Sequence, residues 1–136
     1  MQSKTKKYKE TRDVMLELIT WLNENTTYHI SQIPVFYFDS DDPHVDTASS
    51  ISLTYRNRYN YIVLREEIDY TDDTGNKYLV HELVHHAQFL KRKRYDCEGQ
   101  AEAQAYRVEN QYIQMKKDPN SFSKMPESII EELASC

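Results

Sequence analysis

From Thr11 to Asn25 apolar residues recur at helical spacing. Val14, Leu18, Trp21 and Leu22 share a face, with Met15 and Ile19 beside them, which predicts an amphipathic helix. Thr11 marks its start, although the cap is not clean. The run Ile33 to Phe38, "IPVFYF", is β-branched and aromatic and predicts a strand. The acidic segment "DSDDPHVD" that follows lacks the glycine and closing glutamate of an EF-hand loop, so a plain solvated loop is expected. Two alternating runs, Ser50–Tyr55 and Asn60–Leu64, flank Arg56-Asn57-Arg58 and read as a β-hairpin. "DYTDDTG" then offers carboxylates and hydroxyls suited to capping a helix from about Asn76 to Leu90. Another helix is expected over roughly Glu98 to Lys117, stopped by Asp118-Pro119. Pro126 suits the first turn of a last short helix, with Ile129, Ile130 and Leu133 facing inward. The order predicts an α+β fold in a single domain over residues 1–136. Its parts are an N-terminal backing helix, a small three-stranded, mostly antiparallel sheet, and three helices.

Composition changes this picture little. The protein has 136 residues, 39% hydrophobic and 29% charged, enough for one modest core. Only Gly75 and Gly99 are glycines, which suits helices better than tight turns. Lys and Arg number 17 against 22 Asp and Glu, so 17 − 22 gives −5, and no nucleic-acid partner is expected. The basic run Lys91-Arg-Lys-Arg94 falls at a predicted helix end, where positive charge complements the dipole. No stretch approaches the roughly 20 apolar residues of a membrane span. The N-terminus is basic with no apolar segment behind it, so no intact signal peptide is read. A cytoplasmic protein and a secreted one in mature form both fit. Cys97 and Cys136 are equally consistent with two free thiols or one bridge.

The stretch Leu79-Val-His-Glu-Leu-Val-His-His-Ala-Gln88 adds chemistry. At about 100° per residue, Leu79, Val80, Leu83, Val84, Ala87 and Leu90 fall on one arc. Tyr78, His81, Glu82, His85 and His86 fall on the other. His81 and His85, at i and i+4, stack one turn apart. Adjacent turns of a helix can present two imidazoles to a tetrahedral zinc ion. Glu82 stands off that line, close enough to reach a metal-activated water. A catalytic zinc wants a third protein ligand. Glu98 and Glu102 lie four apart on the following helix. Ala101, Ala105 and Val108 let that helix lie close to the first. Glu102, central and beside small alanines, is the favoured ligand. Glu98 is the alternative, although an acid at a helix start already complements the dipole. Asp96 and Cys97 are weaker candidates.

"HELVHH" followed by a helix bearing "EAQAY" resembles the gluzincin branch of the zincin metallopeptidases, in particular its small single-domain members. The resemblance is strong from Tyr61 to Tyr112. It implies a zincin-like fold, Zn²⁺ as cofactor, His81, His85 and Glu102 as its ligands, and Glu82 as general base and acid. It also implies that Ser50–Tyr55 is a sheet edge holding an extended peptide or protein substrate by β-augmentation. Larger gluzincins often place an aspartate four residues after the ligand glutamate; Tyr106 stands there in this sequence. Tyr106, with His86 and Tyr112 behind it, is the candidate oxyanion stabiliser, against the plainer role of a ring packed between helices. His29 and His44 lie outside the constellation, and His86 reads as a group on the helix flank, either supporting the ligands from behind or at the surface, rather than as a ligand. The competing readings are a catalytically weak zinc-binding module acting through protein binding, and a helical interaction protein in which the motif is coincidence.

Overall fold

The first helix, α1, runs Lys4–Asn25, two turns earlier than the apolar pattern indicates. A computed structural model describes residues 4–43, 54–56, 60–116 and 124–136, with the backbone alone for 54–56. Tertiary anchors account for the early start. The Tyr8 ring stacks on Phe36 with centroids 4.3 Å apart, and Lys4 pairs with Asp41 and Glu66. Thr11 is therefore not a cap. It is buried and donates its hydroxyl to the Lys7 carbonyl at 2.8 Å.

The strand at "IPVFYF" is short, β1 at Phe36–Phe38. The acidic segment after it is more ordered than a solvated loop. Asp39–Asp41 form a 3₁₀ turn, and Asp42 is buried, accepting a hydrogen bond from the Tyr61 hydroxyl. Positions 44–46 of the segment, His44 among them, lie outside the described residues. β1 pairs in parallel with β3, Tyr61–Leu64, in the register Phe36↔Ile62, Tyr37↔Val63 and Phe38↔Leu64. On the other side of β3 lies β2, Thr54–Arg56, antiparallel to it through Thr54↔Val63 and Arg56↔Tyr61.

The expectation of a mostly antiparallel sheet is thus corrected. A parallel pair joins β1 to β3, and β2 is a three-residue edge. Parallel strands need a long crossover, which residues 39–60 supply, and hairpin logic reads only neighbouring runs. Positions 50–53 of the expected Ser50–Tyr55 strand lie outside the described residues.

Helix α2 spans Asp73–Lys91. It starts three residues before Asn76 because Asp72 caps it, accepting from the Gly75 amide at 2.7 Å. Gly75 is required here by close approach rather than by a turn. A Cβ would lie 2.2 Å from the Asp69 carbonyl oxygen. The apolar arc of α2, Leu79, Val80, Leu83 and Val84, joins Met15, Leu18 and Leu22 of α1 and Phe36, Phe38, Ile62 and Leu64 of the sheet in one core. Each of these buried groups contributes about 1.5–3 kcal/mol, which fixes the rotation of α2. Leu90 is the exception on that arc, 45% exposed at the helix end.

The stretch from Arg92 to Cys97 turns the backbone back into α3, Glu98–Met115, and α2 and α3 pack along each other. Helix α4, Glu127–Ala134, lies on α3. Ile130 is fully buried there, whereas Ile129, expected inward, lies about 100° round the helix from it and is 44% exposed. Cys97 and Cys136 form a disulfide across 39 positions, tying the end of α4 to the start of α3. The whole is a mixed helix-and-strand fold of α+β kind.

Candidate metal centre

Because the apolar arc of α2 is committed to the core, its polar arc faces α3. That arc is buried rather than solvated: His81 and Glu82 are 9% and 5% exposed. His81 and His85 sit one turn apart with their Nε2 atoms separated by 3.3 Å. From α3, Glu102 brings Oε2 to 3.2 Å from His81 Nε2 and Oε1 to 2.5 Å from His85 Nε2. One ligand atom from each of the three residues lies within 4.8 Å of the others. Tetrahedral coordination at zinc bond lengths needs donor–donor spacings of about 3.3 Å. The two spacings around His81 already match it, and the shorter Glu102–His85 contact is a charge-assisted hydrogen bond. Among the described residues this is the one group of histidine, cysteine and acidic residues placed to hold a metal ion.

The rings are also held in the orientation a metal requires. Gln88 Nε2 donates to the Ala101 carbonyl at 3.0 Å, which turns Gln88 Oε1 toward His85 Nδ1 at 2.9 Å. A carbonyl can only accept, so the amide orientation is fixed, and His85 must donate through Nδ1. On the other ring, His81 Nδ1 faces Glu109 Oε2 at 3.5 Å. Both imidazoles therefore keep a proton on Nδ1 and turn Nε2 toward Glu102. Outer partners of this kind orient metal-binding histidines.

Charge follows the same geometry. Burial would lower the pKa of His81, but hydrogen bonds to Glu102 and Glu109 outweigh it and hold the ring at about 10. His85 is likewise raised, with burial opposed by Glu102. Burial works against the Glu102 carboxylate, yet the two imidazoles keep it well below the usual carboxylate range. Glu82 differs. Burial pushes its carboxyl upward against the pull of His85 and His81, and its Oε2 is buried with no hydrogen-bond partner among the described residues. An unpartnered buried carboxylate oxygen costs at least about 1–3 kcal/mol. Its place beside three converging ligand atoms suits an ion with an activated water.

Glu82 and the three clustered residues line a cleft of about 790 Å³. Tyr106 lines it too, its ring 4.6 Å from that of His81. No residue described here bonds its hydroxyl, and burial followed by the nearby Glu102, Glu109 and Glu82 carboxylates raises its pKa. His86 is neither at the surface nor in the cleft lining; it is 5% exposed on the buried side of α2. Tyr112 is a core ring edge-on to Trp21, with its hydroxyl 3.2 Å from Asn76 Oδ1. Glu98 lines the cleft without joining the cluster, Cys97 is consumed by the disulfide, and His29 is exposed.

Two residues of the centre escape the sequence pattern, Gln88 and Glu109. Each carries a spacing signal. Gln88 is three residues after His85, and Glu109 is two turns after Glu102, in line with it along α3. The position four residues after Glu102, occupied by Tyr106, is thus not where this protein places its second acid.

Comparison with curated proteins and with solved structures finds no match. The profile of one family aligns with residues 7–122, most of the sequence. The protein belongs to that family, described as a domain of unknown function, DUF6647.

Proposed function

We propose that the protein is a zinc-dependent metallopeptidase with a zincin-like arrangement, in which His81, His85 and Glu102 hold the ion. The observation that carries this reading is the convergence of their three ligand atoms beside the buried, unpartnered Oε2 of Glu82. Two imidazoles and one carboxylate leave a coordination position open, as hydrolytic zinc sites do. Bound there, zinc supplies Lewis acidity and an activated water near neutral pH. Glu82 accepts a proton at Oε2 and returns it to the leaving amine. Tyr106 offers its free hydroxyl to the oxyanion that develops on the substrate carbonyl. Gln88 and Glu109 hold the imidazoles by Nδ1, so neither ring turns during the reaction. The substrate backbone extends along β2, the outer strand next to β3, adding backbone hydrogen bonds to that edge.

Glu82 also separates this reading from a zinc-binding module without turnover. An ion held only for structure has no use for a buried carboxylate with an unsatisfied oxygen beside it. The experiment is hydrolysis of an internally quenched peptide library by the zinc-supplemented protein and its Glu82→Gln variant. A rate lowered by about 10²–10⁴-fold at unchanged zinc content supports the general base. Equal rates, or no cleavage by wild type, reject the peptidase. Tyr106→Phe with an undiminished rate removes Tyr106 from the mechanism.

A further inference from the structure

The basic run at the end of α2 has two fates. Lys91 is used structurally, donating to the Thr27 carbonyl at 3.2 Å and lying over the Tyr28 ring at 5.0 Å. Arg94 is exposed and does not line the cleft. Arg92 and Lys93 do line it. The Arg92 guanidinium has no ion pair or side-chain hydrogen bond among the described residues, and Lys93 rests only on the Tyr95 ring, 5.5 Å from Nζ. Glu98 lines the same cleft, yet neither cation pairs with it.

Arg92 is also in the wrong backbone conformation for an arginine. It closes α2 at φ 52°, ψ 35°, the left-handed position where glycine is usual and where other L-residues are disfavoured by about 1–2 kcal/mol. Helix-dipole complementarity does not explain the choice, since Lys91, Lys93 and Arg94 already supply charge there. A protein of net charge −5 thus keeps two cations without a charged partner among the described residues in the same cleft as the metal centre.

We propose that Arg92 and Lys93 form a carboxylate subsite, so that the cleft selects peptides with an acidic group on one side of the reacting bond. This rests on the peptidase reading and names its substrate class. The carboxylate is an Asp or Glu side group or a free C-terminus. From His85 to Arg92 is seven residues, about 10.5 Å along the helix. An extended peptide covers that span in about three residues, so the acidic group lies about three positions from the bond that is cut. Phe89, in the same lining, meets the residue between.

The test is binding in EDTA, by fluorescence anisotropy, of three labelled peptide pools. One is C-terminally amidated with a single Asp or Glu, one is acid-free with a free C-terminus, and one is acid-free and amidated. Arg92→Gly is expected to weaken a carboxylate pool about fivefold, while Tm holds or rises because glycine relieves the left-handed backbone. Arg94→Gln, the same loss of charge outside the cleft, leaves binding unchanged. Loss in the first pool alone assigns the subsite to an acidic side group, and loss in the second alone to the free terminus. Equal binding of all three pools, equal effects of the two variants, or no binding at millimolar protein overturns the subsite. No metal is present in the assay, so failure here leaves the zinc centre standing, and failure of the zinc centre leaves this result readable.

Discussion

Gln88 joins His85 to α3 with one amide, whose Nε2 also reaches Gln104 Oε1 at 3.5 Å, and its acceptor and donor roles can be separated. It is 5% exposed, accepts from His85 Nδ1 at 2.9 Å and donates to the Ala101 carbonyl at 3.0 Å. Gln88→Glu keeps an acceptor for His85 but takes the donor from Ala101. Ala101 keeps its bond within α3, but the buried carboxylate oxygen left facing its carbonyl has no donor and costs about 1–3 kcal/mol, which for a protein of this size lowers Tm by about 3–12 °C. Zinc affinity should hold, because the imidazole keeps its Nδ1 partner. Gln88→Met has similar volume and removes both bonds. It should lose comparable stability and also about 10–100-fold in zinc affinity, the usual loss when the partner that orients a ligand histidine is removed. Calorimetric unfolding of the metal-free protein reads the first quantity, free of stabilisation by bound metal. Competition with a chromophoric chelator reads the second. If Gln88→Glu loses as much affinity as Gln88→Met, or if neither loses any, Gln88 does not orient His85 and the tautomer argument is wrong.

Three further outcomes follow from the structure. Burial opposes the proton on His81, but Glu102 and Glu109 hold the ring at about 10, so at pH 7 zinc must displace a proton. Apparent affinity should rise about tenfold per pH unit through neutrality, and titration calorimetry in buffers of different ionisation enthalpy should show at least one proton released. Buffer-independent heats would contradict it. The raised pKa has the opposite sign for the metal-free fold: its contribution is complete below the unfolded value near 6.5 and is lost as pH climbs toward 10. Gly75→Ala would put a Cβ 2.2 Å from the Asp69 carbonyl oxygen and 2.4 Å from Tyr70 Cα, both backbone. It should destabilise by about 1–3 kcal/mol, and an unchanged denaturation midpoint would show that the 69–75 segment yields freely.

The centre was legible where its chemistry is local. A helix of known pitch places His81 and His85 together, and small neighbours mark the α3 face that bears Glu102. Gln88 and Glu109 were not legible, because a glutamine or glutamate on a helix is ordinary until its partner is known. Within the polar arc of α2 it was His86 that read as a flank or surface group, and its burial depends on how α2 is packed into the fold, which one helix alone does not reveal. The early start of α1 depends on Tyr8 meeting Phe36, and the β1–β3 pairing on a crossover spanning residues 39–60. Both are tertiary contacts with no local signature. The bridge between Cys97 and Cys136 depends on α4 folding back on α3, which spacing along the sequence does not report.

The proposed centre is a single ion held by three residues from two helices. Zinc content of the purified protein, measured beside that of His85→Ala and Glu102→Ala with folding checked by circular dichroism, tests it most directly. One zinc per molecule in wild type, lost from both folded variants, is the expected result. Wild-type protein that takes up no zinc after supplementation, or a folded Glu102→Ala variant that binds it as tightly as wild type, would contradict the assignment.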